Sequence, residues 1–311
     1  MGHVSRVSEL ISGVSGLLRT TAGPWVAPAA RTVAFLLVLQ WTLRFLRRSG
    51  RIFGVTSPSR RSLLTDLVYL TIAPIMEMFS QTLITLAVIV AACIGGRELS
   101  PGLLSGFGPV IRQPWWLIVV ELVVFSDFAY YWVHRLAHTV PALWRFHAVH
   151  HSTEHLRWTS ALRAHPVELY LHPLVALPLL LVGFPPGALA AALFVSGLYS
   201  FWIHANVNVS ARRLSYVFNS PRYHAWHHAR DVQDGTVNYA GLFPIFDVLF
   251  GTSKHPDGLP PEFGLDDPAT GKVPEDFLGQ LKFPFQRRPE ASRSDQAGLS
   301  SAQLDRQELP G

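Results

Sequence analysis

One cysteine in 311 residues, Cys93, is too few for an intramolecular disulfide, an iron–sulfur cluster or a cysteine-ligated zinc site. It lies inside an apolar run, where a small buried hydrophobe is expected. Charge is scarce too: Asp, Glu, Lys and Arg make up 15% of the chain against 49% hydrophobic residues. Mean hydropathy is +0.24, so the composition is that of a membrane protein rather than a soluble domain. The net charge of +5 comes mostly from arginines at the flanks of apolar runs and near the C-terminus, and nucleic-acid binding is not needed to explain it. A Gly-rich phosphate loop, a GxSxG nucleophile motif and a nucleophile–base pair are all missing. No flavin or haem motif is present either.

Apolar sequence is abundant and segregated. Thr32 to Leu46 is short and leads into Arg47, Arg48, Arg51, Arg60 and Arg61. Leu63 to Ile94 is longer, interrupted by Asp66, Pro74 and Glu77. Pro114 to Val133 is a third run, and Leu169 to Ile203 a fourth, broken by Gly183, Pro185, Pro186 and Gly187. A bilayer core needs about 20 helical residues, so the second and third runs can span it, and the fourth is expected to enter and return as a hairpin. The basic loop from Arg44 to Arg61 is expected on the cytoplasmic side. The third span then ends at His134 in the cytoplasm, and the hairpin returns His204 to the same side. Residues 1–30 place Val7, Leu10, Ile11, Val14, Leu17 and Leu18 at helical spacing, as in an amphipathic segment on a membrane surface. Residues 31–286 are expected to form the membrane-embedded domain, and 287–311, rich in polar residues and proline, a disordered tail.

Histidine is the residue in excess. Twelve of the 14 fall between His134 and His228, and eight form three clusters: His134 and His138 as HxxxH, His147, His150 and His151 as HxxHH, and His224, His227 and His228 as a second HxxHH. A lone histidine in an apolar stretch is ordinarily a hydrogen-bonded core residue. Two copies of HxxHH plus an HxxxH, with few carboxylates nearby, call for another explanation. Residues three and four apart share a helix face, so each cluster is expected to aim its imidazoles at one point. Eight neutral nitrogen donors suit iron, copper, zinc or nickel and are too many for one ion, which predicts two metals.

The flanking residues carry a resemblance. Asp127-Phe-Ala-Tyr-Tyr-Trp-Val-His134-Arg135, Trp144-Arg-Phe-His147-Ala-Val-His150-His151 and Arg163-Ala-His165-Pro166-Val-Glu168 are three parts of it. Phe218-Asn219-Ser-Pro221-Arg-Tyr-His224-Ala-Trp-His227-His228, Asn238-Tyr239 and Phe250-Gly251-Thr252 complete it. This pattern, over roughly 117–252, resembles the fatty acid hydroxylase/sterol desaturase superfamily, nearest in motif to its alkylglycerol monooxygenase and bacterial sterol desaturase-like branch. Two departures stand out. Where the family's fatty acid 2-hydroxylases carry a further HxxxH, this chain has His204 followed at i+4 by Asn208, and the family's Trp before Asp247 is Phe246.

The resemblance implies an all-α integral membrane bundle with a cytoplasm-facing histidine cap. It also implies a membrane-bound non-haem di-iron oxidoreductase, a monooxygenase or desaturase. Such an enzyme oxidises a C–H bond in a membrane lipid, sterol, or fatty-acyl or alkyl substrate. Dioxygen is co-substrate, and electrons come from an external donor such as cytochrome b5, ferredoxin or a reduced pterin. Two Fe2+ ions are the expected cofactors, with zinc able to occupy the same nitrogens, and no bound organic cofactor is expected. Expected ligands are His134, His138, His147, His150, His151, His204, His224, His227 and His228. Asp127 is a candidate for a hydrogen bond either to a ligand or within the helical bundle, His165 for ligand support or a turn before Pro166, Asn208 for metal binding through its carbonyl oxygen or a supporting hydrogen bond, and Asp247 for holding a neighbouring loop. His165 and Glu168 are a candidate pair. The compartment implied is a bacterial inner membrane or the endoplasmic reticulum. A zinc-dependent membrane hydrolase and a metal transport or scaffold protein are the rival classes.

Overall fold

The computed structural model describes residues 58–94, 105–169, 172–209, 212–230, 236–265 and 272–286. The expected amphipathic segment 1–30, the run Thr32 to Leu46, most of the basic loop after it and the tail 287–311 lie outside the described residues. Among the described residues the chain is helical with no β-strand, apart from one isolated bridge between Ala229 and Phe263.

The second apolar run is one helix, α1 (Arg60–Ile94), of 35 residues. At 1.5 Å per residue it is about 50 Å long, longer than the roughly 30 Å hydrocarbon core of a bilayer. Asp66, Pro74 and Glu77 do not interrupt its backbone. Cys93 is exposed on this helix rather than buried, which corrects the expectation from its apolar surroundings. An outward apolar side chain carries no penalty where the neighbours are lipid tails.

The third run is α2 (Trp115–Thr139), begun by Pro114 and stopped at Val140. Proline forces the residue before it out of the helical region, so Val140, before Pro141, is extended and serves as the break between α2 and α3 (Pro141–His151). The short α4 (Pro166–Leu169) follows, then α5 (His172–Val182) and α6 (Pro186–Ile203). The chain reverses between these last two at Gly183, whose φ of +108° only glycine adopts without strain. Its carbonyl accepts from the Phe107 amide at 2.9 Å, so the turn docks on the loop before α2. The reversal expected from the Gly/Pro break is therefore present. The short helices α7 (Pro221–His227), α8 (Ile245–Leu249) and α9 (Phe277–Lys282) complete the described elements.

α2 packs on α6, α5 and α3, and α1 packs on α5. The largest core cluster joins Ile118, Leu122 and Val123 of α2 to Ala176 and Leu180 of α5 and Ala188, Leu189 and Ala192 of α6. Alanines at this seam let the backbones approach closely. α2 and α6 are long and apolar enough to cross a membrane, and most of each apolar stretch is unburied. On α2, Trp115, Trp116, Val120, Val124, Phe125 and Phe128 face outward. A soluble core helix would bury this surface; a lipid-bathed one exposes it.

Candidate metal centre

Three helix ends and one helix exit converge. The end of α2 brings His134 and His138, the second half of α3 brings His147, His150 and His151, and α7 with its last-turn cap brings His224, His227 and His228. His204 caps the C-terminus of α6. α7 starts where Ser220 accepts from the Tyr223 amide and Pro221 occupies the first turn.

All nine expected histidines gather, and they fall into two groups. His134, His138, His147, His151 and His227 form one; His150, His204, His224 and His228 form the other. Within each group the ring nitrogens lie within 4.8 Å of one another. The groups adjoin: the His151 and His228 rings stack with centroids 4.4 Å apart. This corrects the expectation that each cluster aims at one point, because both HxxHH boxes are split. In the first box His147 and His151 go to one group and His150 to the other; in the second, His224 and His228 stay together and His227 crosses over. The cause is helical geometry. Residues i and i+4 differ by about 40° around the axis, whereas i+3 and i+4 differ by about 100°. A helix lying between two centres therefore serves both.

The protonation of these rings follows from their partners. His134 Nδ1 is 2.7 Å from the Tyr239 carbonyl, His150 Nδ1 3.1 Å from that of Arg163, His204 Nδ1 2.7 Å from that of Ser200, and His227 Nδ1 2.8 Å from that of Val237. A carbonyl only accepts, so each Nδ1 carries the proton and each Nε2 presents a lone pair. His147 Nδ1 meets the Glu168 carboxylate at 2.6 Å with the same result. His134 Nε2 and His147 Nε2 then face each other at 3.0 Å, and His204 Nε2 and His150 Nε2 at 3.1 Å, acceptor against acceptor. Two lone pairs at that distance repel unless a cation lies between them. Nitrogens about 2.1 Å from one ion at right angles are about 3 Å apart, which is this spacing. His138 Nε2, His151 Nε2 and His227 Nε2 are buried and, among the described residues, unpartnered, as are Nδ1 of His224 and His228. The donor set fits two divalent ions.

Burial also sets the charge state of the rings. His150, His151, His224 and His228 are held well below the usual histidine range, by desolvation first and by neighbouring imidazoles second. His204 and His227 are pushed down to about 3, again by burial first. All six are neutral at pH 7, the form a metal requires.

Of the candidates for support, Asp127 makes no hydrogen bond to a histidine among the described residues; its carboxylate accepts from the Leu242 and Phe243 amides, each at 2.8 Å, a contact within the bundle. Its place seven residues before His134 aligns it on the α2 surface, but the backbone of the loop after Tyr239 reaches it first. His165 is also turned away, with Nε2 3.1 Å from the Leu281 carbonyl and Nδ1 accepting from the Val167 amide. It stands before Pro166 at the start of α4, and Glu168 reaches back to its amide at 3.3 Å in a capping contact. That leaves the other Glu168 oxygen for His147, so the carboxylate expected to pair with His165 supports a different ring. Asn208 lies beyond the end of α6 at Ile203, so the helical i+4 relation to His204 does not continue. Its buried Oδ1 has no partner among the described residues.

Sequence reasoning missed the frame that holds the carbonyls. Asn219 donates to the Ala240 carbonyl at 2.7 Å, and Asn238 donates to those of Tyr223 and Lys254 at 3.0 Å. Asp247 accepts from the Tyr239 and Ala240 amides, holding the neighbouring loop as expected. With Asp127 these side chains pin the strandless segment whose Val237 and Tyr239 carbonyls orient His227 and His134. Asn238 has φ +60°, a conformation asparagine tolerates better than most residues.

Residues 119–252, the histidine-bearing region, match the family described as Fatty acid hydroxylase. The ornithine lipid hydroxylase of Rhizobium tropici is 37% identical over 172 residues, covering 55% of this chain and 51% of that protein. The alkylglycerol monooxygenase of Homo sapiens is 40% identical over 126 residues, covering 40% of this chain and 28% of its own length. A very-long-chain aldehyde decarbonylase of Oryza sativa subsp. indica is 28% identical over 167 residues, covering 48% of this chain and 58% of its own length. The chain thus spans about half the length of the first relative and less than a third of the second. No solved structure matches.

Proposed function

We propose that this membrane protein is an O2-dependent di-iron enzyme that hydroxylates an unactivated C–H bond in the alkyl or acyl chain of a membrane lipid, with electrons from an external donor. One observation carries the reading: nine imidazoles, eight buried and His138 half-buried, in adjoining groups of five and four, with lone pairs opposed at 3.0 and 3.1 Å. The match to that family over residues 119–252 supports lipid oxidation by a metal-dependent protein, and two relatives named hydroxylase and monooxygenase favour oxygen insertion over desaturation. Two irons held by these rings would supply the reduction of dioxygen and the cleavage of a C–H bond that no side chain performs.

The residues of the chain do the rest. His134, His138, His147, His151 and His227 hold one ion, and His150, His204, His224 and His228 the other. Glu168 and the carbonyls of Arg163, Ser200, Val237 and Tyr239 fix the ring tautomers and orientations. Neutral ligands leave the ions most of their charge, which favours reduced oxygen species in the site. α1, α2 and the α5–α6 hairpin form the multi-pass membrane part, with the histidines on the cytoplasmic side, where a lipid can keep its tail in the bilayer. The test is anaerobic reconstitution with Fe2+, then oxygen and reductant in the presence of total membrane lipid, with mass spectrometry of the products. A lipid that gains one oxygen atom, absent in His150→Ala, is expected. Equal product without oxygen would point to hydrolysis instead.

A further inference from the structure

A second concave site lies outside the histidine groups. It is a polar cavity of about 650 Å³ built from the segments that follow His204 and precede His224. Arg213, from the 3-10 turn Arg212–Tyr216, and Arg222, from the first turn of α7, both line it. Asp257 lines it as well, beside Gly258, whose carbonyl accepts from the Trp226 indole at 3.1 Å. Tyr216 and His255 form one wall, their tilted rings 4.3 Å apart, and Tyr223 packs against His255 with ring centroids 4.8 Å apart. Among the described residues neither arginine, nor Asp257, takes part in a salt bridge. The volume is in the range of small-ligand sites, about 300–1,000 Å³.

The segment that carries Arg213 points to the class of ligand. Leu214, Val217 and Phe218, one to five residues after Arg213, are 59%, 45% and 47% exposed. Apolar side chains beside guanidinium groups are the composition of a surface that lies in the headgroup layer, the apolar part toward acyl chains and the cations toward anionic groups. A free anion has no use for exposed apolar side chains on the segment that binds it, and an uncharged lipid has no use for two arginines and an aspartate in one cavity.

We propose that this cavity seats the zwitterionic headgroup of a membrane lipid, with its phosphate or carboxylate on Arg213 and Arg222 and its ammonium on Asp257. That this lipid is also the substrate rests on the oxidation reading above; the binding itself does not. Guanidinium groups meet either anion with paired N–H donors, which is why arginine rather than lysine suits the position.

The full chain, in detergent and without added metal or oxygen, is titrated with dihexanoyl phosphatidylethanolamine below its micelle concentration, and binding is read from line broadening of the probe, in 31P spectra for probes that carry phosphorus and in 1H spectra for the one that does not. Inorganic phosphate and dihexanoylglycerol are the comparison probes. The zwitterionic lipid is expected to bind at least about tenfold more tightly than either, and the double variant Arg213→Gln/Arg222→Gln to weaken it by about tenfold or more. Asp257→Asn is expected to weaken the lipid and leave phosphate unchanged, and Arg213→Lys/Arg222→Lys to restore part of the affinity, which separates lost contacts from lost folding. Unchanged lipid binding in the glutamine variant overturns the proposal. Phosphate binding as tightly as the lipid overturns it too, in favour of a site for a free anion. Because no turnover is measured, loss of this site and failure of the oxidation reading give separate results.

Discussion

Asp66, within the membrane-length helix α1, forms a buried ion pair with Arg163, and the carbonyl of that same Arg163 orients His150. Both side chains are only 2% exposed. Asp66 also accepts from Arg157 at 2.5 Å and from Thr159 at 2.6 Å, so it gathers the loop between α3 and α4 onto α1. The long helix α1 thereby fixes the backbone that orients His150.

Removing one partner of a buried pair leaves the other charge uncompensated, at a cost of about 3–5 kcal/mol. Asp66→Asn is therefore expected to lower the unfolding midpoint and to loosen the metal nearest His150 before the other. Denaturant unfolding in detergent and metal analysis after a chelator challenge check this. Asp66→Glu should recover much of the loss. Equal loss of both metals at unchanged stability would separate Asp66 from the His150 group.

The crossed division of the HxxHH boxes makes a stoichiometric prediction. His224 and His228 belong to the group of four, His227 to the group of five. His228→Ala is expected to reduce bound iron from about two per chain toward one. His227→Ala removes one of five ligands and is expected to retain more metal. If each box served one ion, the two variants would behave alike, so metal counts on paired samples decide between these arrangements.

Much of this was legible in sequence, and the reasons for success and failure are local. The histidine spacing, the apolar runs and the Gly183 reversal depend on periodicity and backbone preference, which a linear reading captures. The division of the boxes needs the position of a second centre relative to each helix, which spacing alone does not contain. Sequence leaves Asp127 open between ligand support and a contact within the bundle, because alignment on a helix face says nothing of the loop from Leu242 to Phe243 that packs against it. It leaves the role of Asn208 open as well, because the i+4 relation to His204 depends on where α6 ends. Asp66 did carry a signal, an acid inside an apolar run, and its partners lie 91 to 97 residues away in the sequence.

Glu168 should act through His147. Its carboxylate is 2.6 Å from His147 Nδ1 and makes that ring a stronger donor to metal. Glu168→Gln keeps an acceptor and loses the charge; Glu168→Ala loses both. Partners of this kind change metal affinity by about 10–100-fold, so the glutamine variant is expected near the lower end and the alanine variant near the upper. Competitive chelator titration measures both. His165→Ala, by contrast, should leave affinity unchanged, since neither His165 nitrogen faces the histidine groups.

The buried histidines also fix how the metal-free protein responds to acid. His204 and His227 are neutral in the fold down to about pH 3, while an unfolded chain protonates them near pH 6.5. Between those values the unfolded state binds protons that the folded state does not, so stability is complete above about pH 6.5 and falls as pH drops toward 3. Each such histidine contributes a slope of up to about 1.4 kcal/mol per pH unit. Asp247, whose carboxyl burial raises, acts with the opposite sign, but only in the carboxylate range. Denaturant midpoints of the metal-free protein in detergent should therefore be flat from pH 8 to 7 and decline steadily from 6.5 to 4. Bound metal keeps both rings neutral by occupying their lone pairs, so the loaded protein should begin its decline at lower pH and release metal as it does. A metal-free midpoint that stays level between pH 6.5 and 4 would mean that these rings are open to solvent and protonate freely in the folded state.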